Sequence, residues 1–177
     1  KVETQREQIG IKGYALGFEE IEDWINSQLP ANEEIGKALR KETRMYPELA
    51  IRELVANALI HQDLTEKGFP MIEVFTDRIE ISNPGTPVVT PERFIDAYLS
   101  RNEKLADLMR RLGFCEEKGS GLDKVILYNE LYQLPAINVI VAENRTKVCM
   151  YSYKPLNDLD KKDKIRACYQ HACLKYV

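Results

Sequence analysis

The spacing of apolar residues divides the chain into helical and extended segments. Phe18, Ile21, Trp24, Ile25 and Leu29 recur every three to four positions and predict a helix that Pro30 ends. Residues 46–63, YPELAIRELVANALIHQD, give the strongest helical pattern, with Leu49, Leu54, Ala58 and Ile60 supplying an apolar stripe. Pro47 suits the first helical position there, and Glu48 complements the helix dipole. Between these two helices the segment EEIGKALRKETRMY is ambiguous and is read as extended. Ile72, Val74, Ile79 and Ile81 then alternate with polar residues, which predicts a strand pair turning near Thr76-Asp77 and stopped by Asn83-Pro84-Gly85.

The second half repeats this alternation of elements. Residues 86–102 read as a loop with one short helix after Thr90-Pro91. EKLADLMRRL is helical, GFCEEKGSG is a loop, and LDKVILYNELYQL is a helix with Val125, Leu127 and Leu131 as core candidates. AINVIVAENRTKVCMYSY reads as a hairpin turning at Glu143-Asn144-Arg145. Residues 154–160 form a polar linker to an amphipathic helix over 161–177, with Ile165, Ala167, Cys168 and Leu174 as candidates for burial. Helices mixed with mostly antiparallel strands predict an α+β fold, its helices layered on one face of the sheet. Residues 1–17 are expected to be an entering linker, 18–153 a domain, and 154–177 a linker and the first helix of a further domain.

Composition narrows the function classes. With 44% hydrophobic and 30% charged residues among 177, the chain suits a globular domain that buries a core without staples. A net charge of −3 opposes a basic nucleic-acid coat, and only the stretch from Lys154 onward is locally basic. The four cysteines form no Cys-x-x-Cys pair, which disfavours a structural zinc site and fits a reducing, cytoplasmic compartment. No apolar run approaches the roughly 18 residues of a membrane-spanning helix, so no membrane partner is expected.

Two features carry candidate chemistry. Glu53, Asn57 and His61 are spaced four apart, which puts a carboxylate, an amide and an imidazole in one row on one helix face. Asn is a poor residue for a helix interior, so a solvated face alone explains the row badly. Gly119-Ser120-Gly121-Leu122 opens a helix, where backbone amides freed by small residues form an anion site. Each feature has an ordinary structural explanation taken singly, and their order along the chain is more specific than either.

In that order the chain resembles the GHKL (Bergerat-fold) ATPases, which include gyrase, histidine kinases and MutL. ELVANALIHQD is similar to their asparagine-bearing helix and GSGL to their second glycine box. YPELAIRELVANALIHQD, DRIEISNPG and SRNEKLADLMRRLGFCEEKGSGL resemble more closely the subgroup named for the C-terminal part of RecG-like helicases, found with Schlafen/AlbA-type and winged-helix domains. The resemblance covers about residues 18–153. It implies a GHKL-type sandwich binding ATP with Mg²⁺, within a bacterial DNA-associated transcriptional regulator. Asn57 would hold the metal and Glu53 would be the catalytic base. Gly119, Ser120, Gly121 and Leu122 would receive the phosphates, with Arg101, Asn102 and His61 lining the site. DNA would be met through flanking domains, and the partner of the chain would be a second copy.

The family's first glycine box, Asp-x-Gly-x-Gly, is absent. Asn83 stands at its best positional match, followed by Gly85, and an amide there can accept from adenine's amino group as well as donate. Asp77 is assigned to the hairpin turn. The segment from Gly85 to Gly113 contains no other glycine, which predicts little lid closure and slow hydrolysis. No Walker A loop is present, so no helicase motor resides here. The competing reading is a scaffold that kept the fold and lost the nucleotide, serving dimerisation or docking.

Overall fold

The computed structural model describes residues 6–29, 31–35, 40–94, 99–115 and 121–174, with the backbone alone described for 31–35 and 40–44. Helix α1 spans Tyr14–Gln28 and is followed by the antiparallel hairpin β1 (Ala31–Ile35) and β2 (Arg40–Arg44). Helix α2 (Glu48–Ile60) leads to β3 (Met71–Val74) and β4 (Arg78–Pro84). Helices α3 (Glu103–Arg111) and α4 (Gly121–Leu131) precede β5 (Asn138–Ala142), β6 (Arg145–Tyr151) and α5 (Lys161–Leu174). The main sheet is antiparallel in the order β3-β4-β6-β5. The fold is α+β, as the sequence predicts.

The sheet's two faces differ sharply. Ile79 and Ile81 of β4, with Val148 and Met150 opposite them on β6, face the core. The alternate positions carry Arg78, Glu80, Lys147 and Arg145. Glu80 accepts from Arg78 Nε at 2.7 Å and from Lys147 Nζ at 2.5 Å, so its buried carboxylate is fully ion-paired. Burial pushes this carboxyl up, but the bonds from Lys147 and Arg78 outweigh it and hold the pKa below the ordinary value.

Helix α2 is the centre of the helical layer. It packs on β4 and touches α1, α3 and α4. Nine of its residues are buried, from Ala50 to Ile60, and one of them is Glu53. Helix α1 seals one flank, where Phe18 stacks on Phe114 with ring centroids 4.7 Å apart. Arg52 lies over the Phe18 ring and donates to the Gly113 carbonyl at 2.7 Å, closing the end of α3 onto α2.

Several local expectations change. Pro47 caps α2 rather than opening it, with an extended ψ of 119°. Its carbonyl accepts from the amides of Ala50 and Ile51, a role that proline fills without loss. Leu49 is exposed because the partners of α2 surround its other sides. In α4 the buried positions are Gly121, Val125, Ile126 and Asn129, and Leu127 and Leu131 face out. Asn129 is taken inward because its amide donates to the Pro135 carbonyl and anchors the turn after the helix. Helix α5 has no fully buried residue, and Ile165 and Cys168 are exposed. It docks with Leu174 partly buried against the core, His171 on Glu130 of α4, and Gln170 Nε2 donating to the Ile137 carbonyl just before β5.

The hairpins follow the sequence. Phe75 N–H donates to the Arg78 carbonyl across the Thr76-Asp77 turn. Glu143 and Asn144 adopt φ of 49° and 57°, the left-handed pair that a two-residue hairpin turn requires. Helix α1 starts at Tyr14, inside the stretch read as linker.

Candidate functional site

Helices α2 and α4 lie in contact, which brings the polar row of α2 against the first residue of α4. Glu53 is 7% exposed, and its carboxylate rests on the Gly121 backbone. A Cβ at position 121 would fall on that carboxylate and lie 2.6 Å from Glu53 Cδ. A Cβ here would therefore displace a neighbouring side chain, and φ plays no part. The two motifs that stand furthest apart in the sequence reading meet at this contact. Gly119 and Ser120 lie outside the described residues.

One turn on, Asn57 Nδ2 donates to Glu53 Oε1 at 3.3 Å. A carboxylate can only accept, so this bond fixes which end of the amide faces Glu53. The amide oxygen of Asn57 is then the atom left to accept or ligate. His61 follows as the C-terminal cap of α2, its backbone N–H bonded to the Asn57 carbonyl. Burial lowers its pKa, and the nearby Arg101 charge lowers it further, so the ring is neutral at pH 7.

Beyond α2 the chain is stitched to the end of β4. Asp63 N–H donates to the Pro84 carbonyl at 2.9 Å. Gly85 has φ 95°, donates its N–H to the Asn144 carbonyl, and its carbonyl accepts from Thr146 Oγ1 at 2.8 Å. A side chain there would meet Asp63 Cβ at 2.5 Å and Arg101 Nη1 at 3.0 Å. Asn83 is buried beside this turn, with Nδ2 donating to the Pro84 carbonyl at 3.1 Å. Its amide oxygen is thereby the end presented as an acceptor.

Arg101 pairs with Asp63 at 3.7 Å. Asn102 Nδ2 donates to the carbonyls of Ile60 and Gln62, both at 2.8 Å, and ties α3's start to the end of α2. Leu122 packs against the core. The described part of the set thus falls in two groups. Glu53, Asn57 and Gly121 meet at one contact, and Gly85, Arg101, Asn83 and His61 gather near the C-terminal end of α2. Asp63, which joins the second group, has a sequence signal only in the Asp-x-Thr turn it forms with Thr65.

Among the described residues no group of three or more acidic, histidine or cysteine side chains is placed to hold a metal ion. Among the described residues no helix is long and apolar enough to cross a membrane.

Residues 68–150 match a family model described as "Putative ATP-dependent DNA helicase recG C-terminal". The matched span runs from the loop before β3 through β6, and α2 with its polar row precedes it. Over that span the chain is similar to an ATPase-like domain related to RecG. The crystal structure of the DIP2311 protein from Corynebacterium diphtheriae superposes with a TM-score of 0.65 at 25% identity, over 79% of this chain. The chain spans 30% of that longer protein. No curated protein matches the chain.

Proposed function

We propose that this chain is a nucleotide-binding module that takes ATP with Mg²⁺ between α2 and the start of α4. The observation that carries the reading is the Glu53 carboxylate seated on Gly121. It puts an acid, an amide oxygen and a helix N-terminus within one small region, in the order a phosphate chain and its cation would use. The similarity to an ATPase-like domain over residues 68–150 supports it independently.

In this reading Asn57 ligates the cation through its amide oxygen, with Glu53 fixing the amide's orientation. Magnesium, when bound, screens the negative charge of the phosphates. Gly121 and, from outside the described residues, Gly119 and Ser120 offer backbone amides to the phosphates, and the α4 dipole adds attraction. Arg101 neutralises phosphate charge from the other group of residues. Asn83 accepts from the amino group of adenine, and His61, neutral, lines the wall. Glu53 orients a water and takes its proton as the water oxygen bonds to the γ-phosphorus and the bond to the β,γ-bridging oxygen breaks. Hydrolysis is slow, because the segment from Gly85 to Gly113 has no internal glycine to close a lid. The module serves a bacterial DNA-associated regulator in which nucleotide occupancy biases flanking, DNA-contacting domains and pairing with a second copy.

Thermal unfolding tests this reading. A ligand at 100 times its dissociation constant stabilises by about 2.7 kcal/mol, which for a chain this size is a shift of roughly 5–10 °C. A shift with ATP that requires magnesium and disappears in Asn57→Ala is the expected result. No shift with ATP, ADP or GTP at millimolar concentration would leave the fold as a docking scaffold.

A further inference from the structure

Asp63 is held in place by its own turn and by the end of β4. Its Oδ1 accepts from Thr65 N at 3.0 Å and Thr65 Oγ1 at 2.6 Å, and its own N–H is tied to the Pro84 carbonyl at 2.9 Å. These bonds hold the carboxylate below its ordinary pKa, the Thr65 bonds foremost, so it is ionised at neutral pH. Its second oxygen, Oδ2, faces Arg101 Nη1 at 3.7 Å.

That separation is an ion pair held by charge and not a hydrogen bond. It orients the guanidinium while leaving N–H donors uncommitted to Asp63. The backbone of the arginine is fixed as well, because the next residue, Asn102, donates to the carbonyls of Ile60 and Gln62. Gly85 completes the device: a Cβ there would lie 2.5 Å from Asp63 Cβ and 3.0 Å from Arg101 Nη1. Only a glycine lets the loop after α2 and the arginine close over the end of β4. The charge of Arg101 also reaches His61, at the end of the polar row.

A surface ion pair kept for stability is worth only about 0–1 kcal/mol and requires no such clearance. We propose that Asp63 is a positioning residue that sets Arg101 over the Gly85 turn so that the guanidinium engages the phosphates of the bound nucleotide, an inference resting on the nucleotide reading above. Asp63 itself does not touch the ligand. It selects for phosphorylated over unphosphorylated ligand by acting through Arg101.

The test is a double-mutant cycle of Asp63→Asn and Arg101→Ala, read as dissociation constants for Mg-ATP and for adenosine. Asparagine keeps the oxygen that accepts the two Thr65 bonds and removes only the charge, so the turn survives. Asp63→Asn is expected to weaken Mg-ATP about fivefold to tenfold, leave adenosine unchanged, and have no further effect in the Arg101→Ala background. An equal loss for adenosine, or an undiminished loss in the Arg101→Ala background, would overturn the positioning role and leave the nucleotide reading intact. Wild-type protein that binds neither ligand would overturn both.

Discussion

Gly121→Ala is a change of one methyl group with an unusually definite consequence. The added Cβ would coincide with the Glu53 carboxylate, and would lie 2.6 Å from its Cδ and 3.2 Å from its Cγ. A flexible carboxylate at a surface would swing aside. Glu53 is 7% exposed and bonded to Asn57, so moving it disturbs packed neighbours and breaks that bond. Overpacking of this kind costs about 1–3 kcal/mol. Alanine recovers part of that through helix propensity, though less than the full ~1 kcal/mol because position 121 is the first of its helix. The net loss is about 1–2 kcal/mol, or roughly 2–8 °C in Tm for a chain this size. Thermal unfolding of Gly121→Ala, Glu53→Ala and the double variant measures it. Removing the Glu53 side chain removes the obstacle, so the double variant should be more stable than the summed single losses imply, by about 1–2 kcal/mol. A Gly121→Ala variant with wild-type Tm, or single effects that simply add, would refute the contact on which the site is built.

Two further outcomes follow from the same region. His61 has a lowered pKa in the folded chain, so the unfolded chain binds the proton first: stability is fully present above the ordinary value of 6.5 and falls as pH drops below it. Unfolding free energies between pH 7.5 and 5 should show this loss, and His61→Gln should flatten it; an unchanged slope would count against a buried neutral ring. Asn102→Ala strips one donor from each of the Ile60 and Gln62 carbonyls and should cost about 2 kcal/mol, roughly 4–8 °C; a loss under a degree would mean that water replaces the amide.

Elements governed by local chemistry were legible in the sequence. The Thr76-Asp77 and Glu143-Asn144 turns and the helix bearing Glu53, Asn57 and His61 depend on neighbours in sequence, and the structure has them there. The row on α2 was legible for the same reason, since i and i+4 share a face whatever surrounds the helix. What periodicity does not contain is the direction from which partners arrive. Leu127 and Leu131 read as core and face outward, because α4 is rotated to bury Ile126 and to use Asn129 as an anchor for the following turn. Ile165 and Cys168 are exposed on α5, where it is Leu174 that packs against the core. The seating of Glu53 on Gly121, and the clearance that Gly85 gives Asp63 and Arg101, join residues far apart in the chain and appear only once α2, α4 and β4 are packed. Asn102 reads as a site residue by position, and its bonds to the Ile60 and Gln62 carbonyls were not legible there.

In the proposed function α2 and the start of α4 hold a nucleotide through Asn57. Calorimetric titration of ATP into the chain, with and without Mg²⁺, beside the Asn57→Ala variant, decides it. Saturable binding that needs magnesium and is lost in Asn57→Ala is the predicted result. Binding of equal strength in both proteins, or none in either, would contradict it.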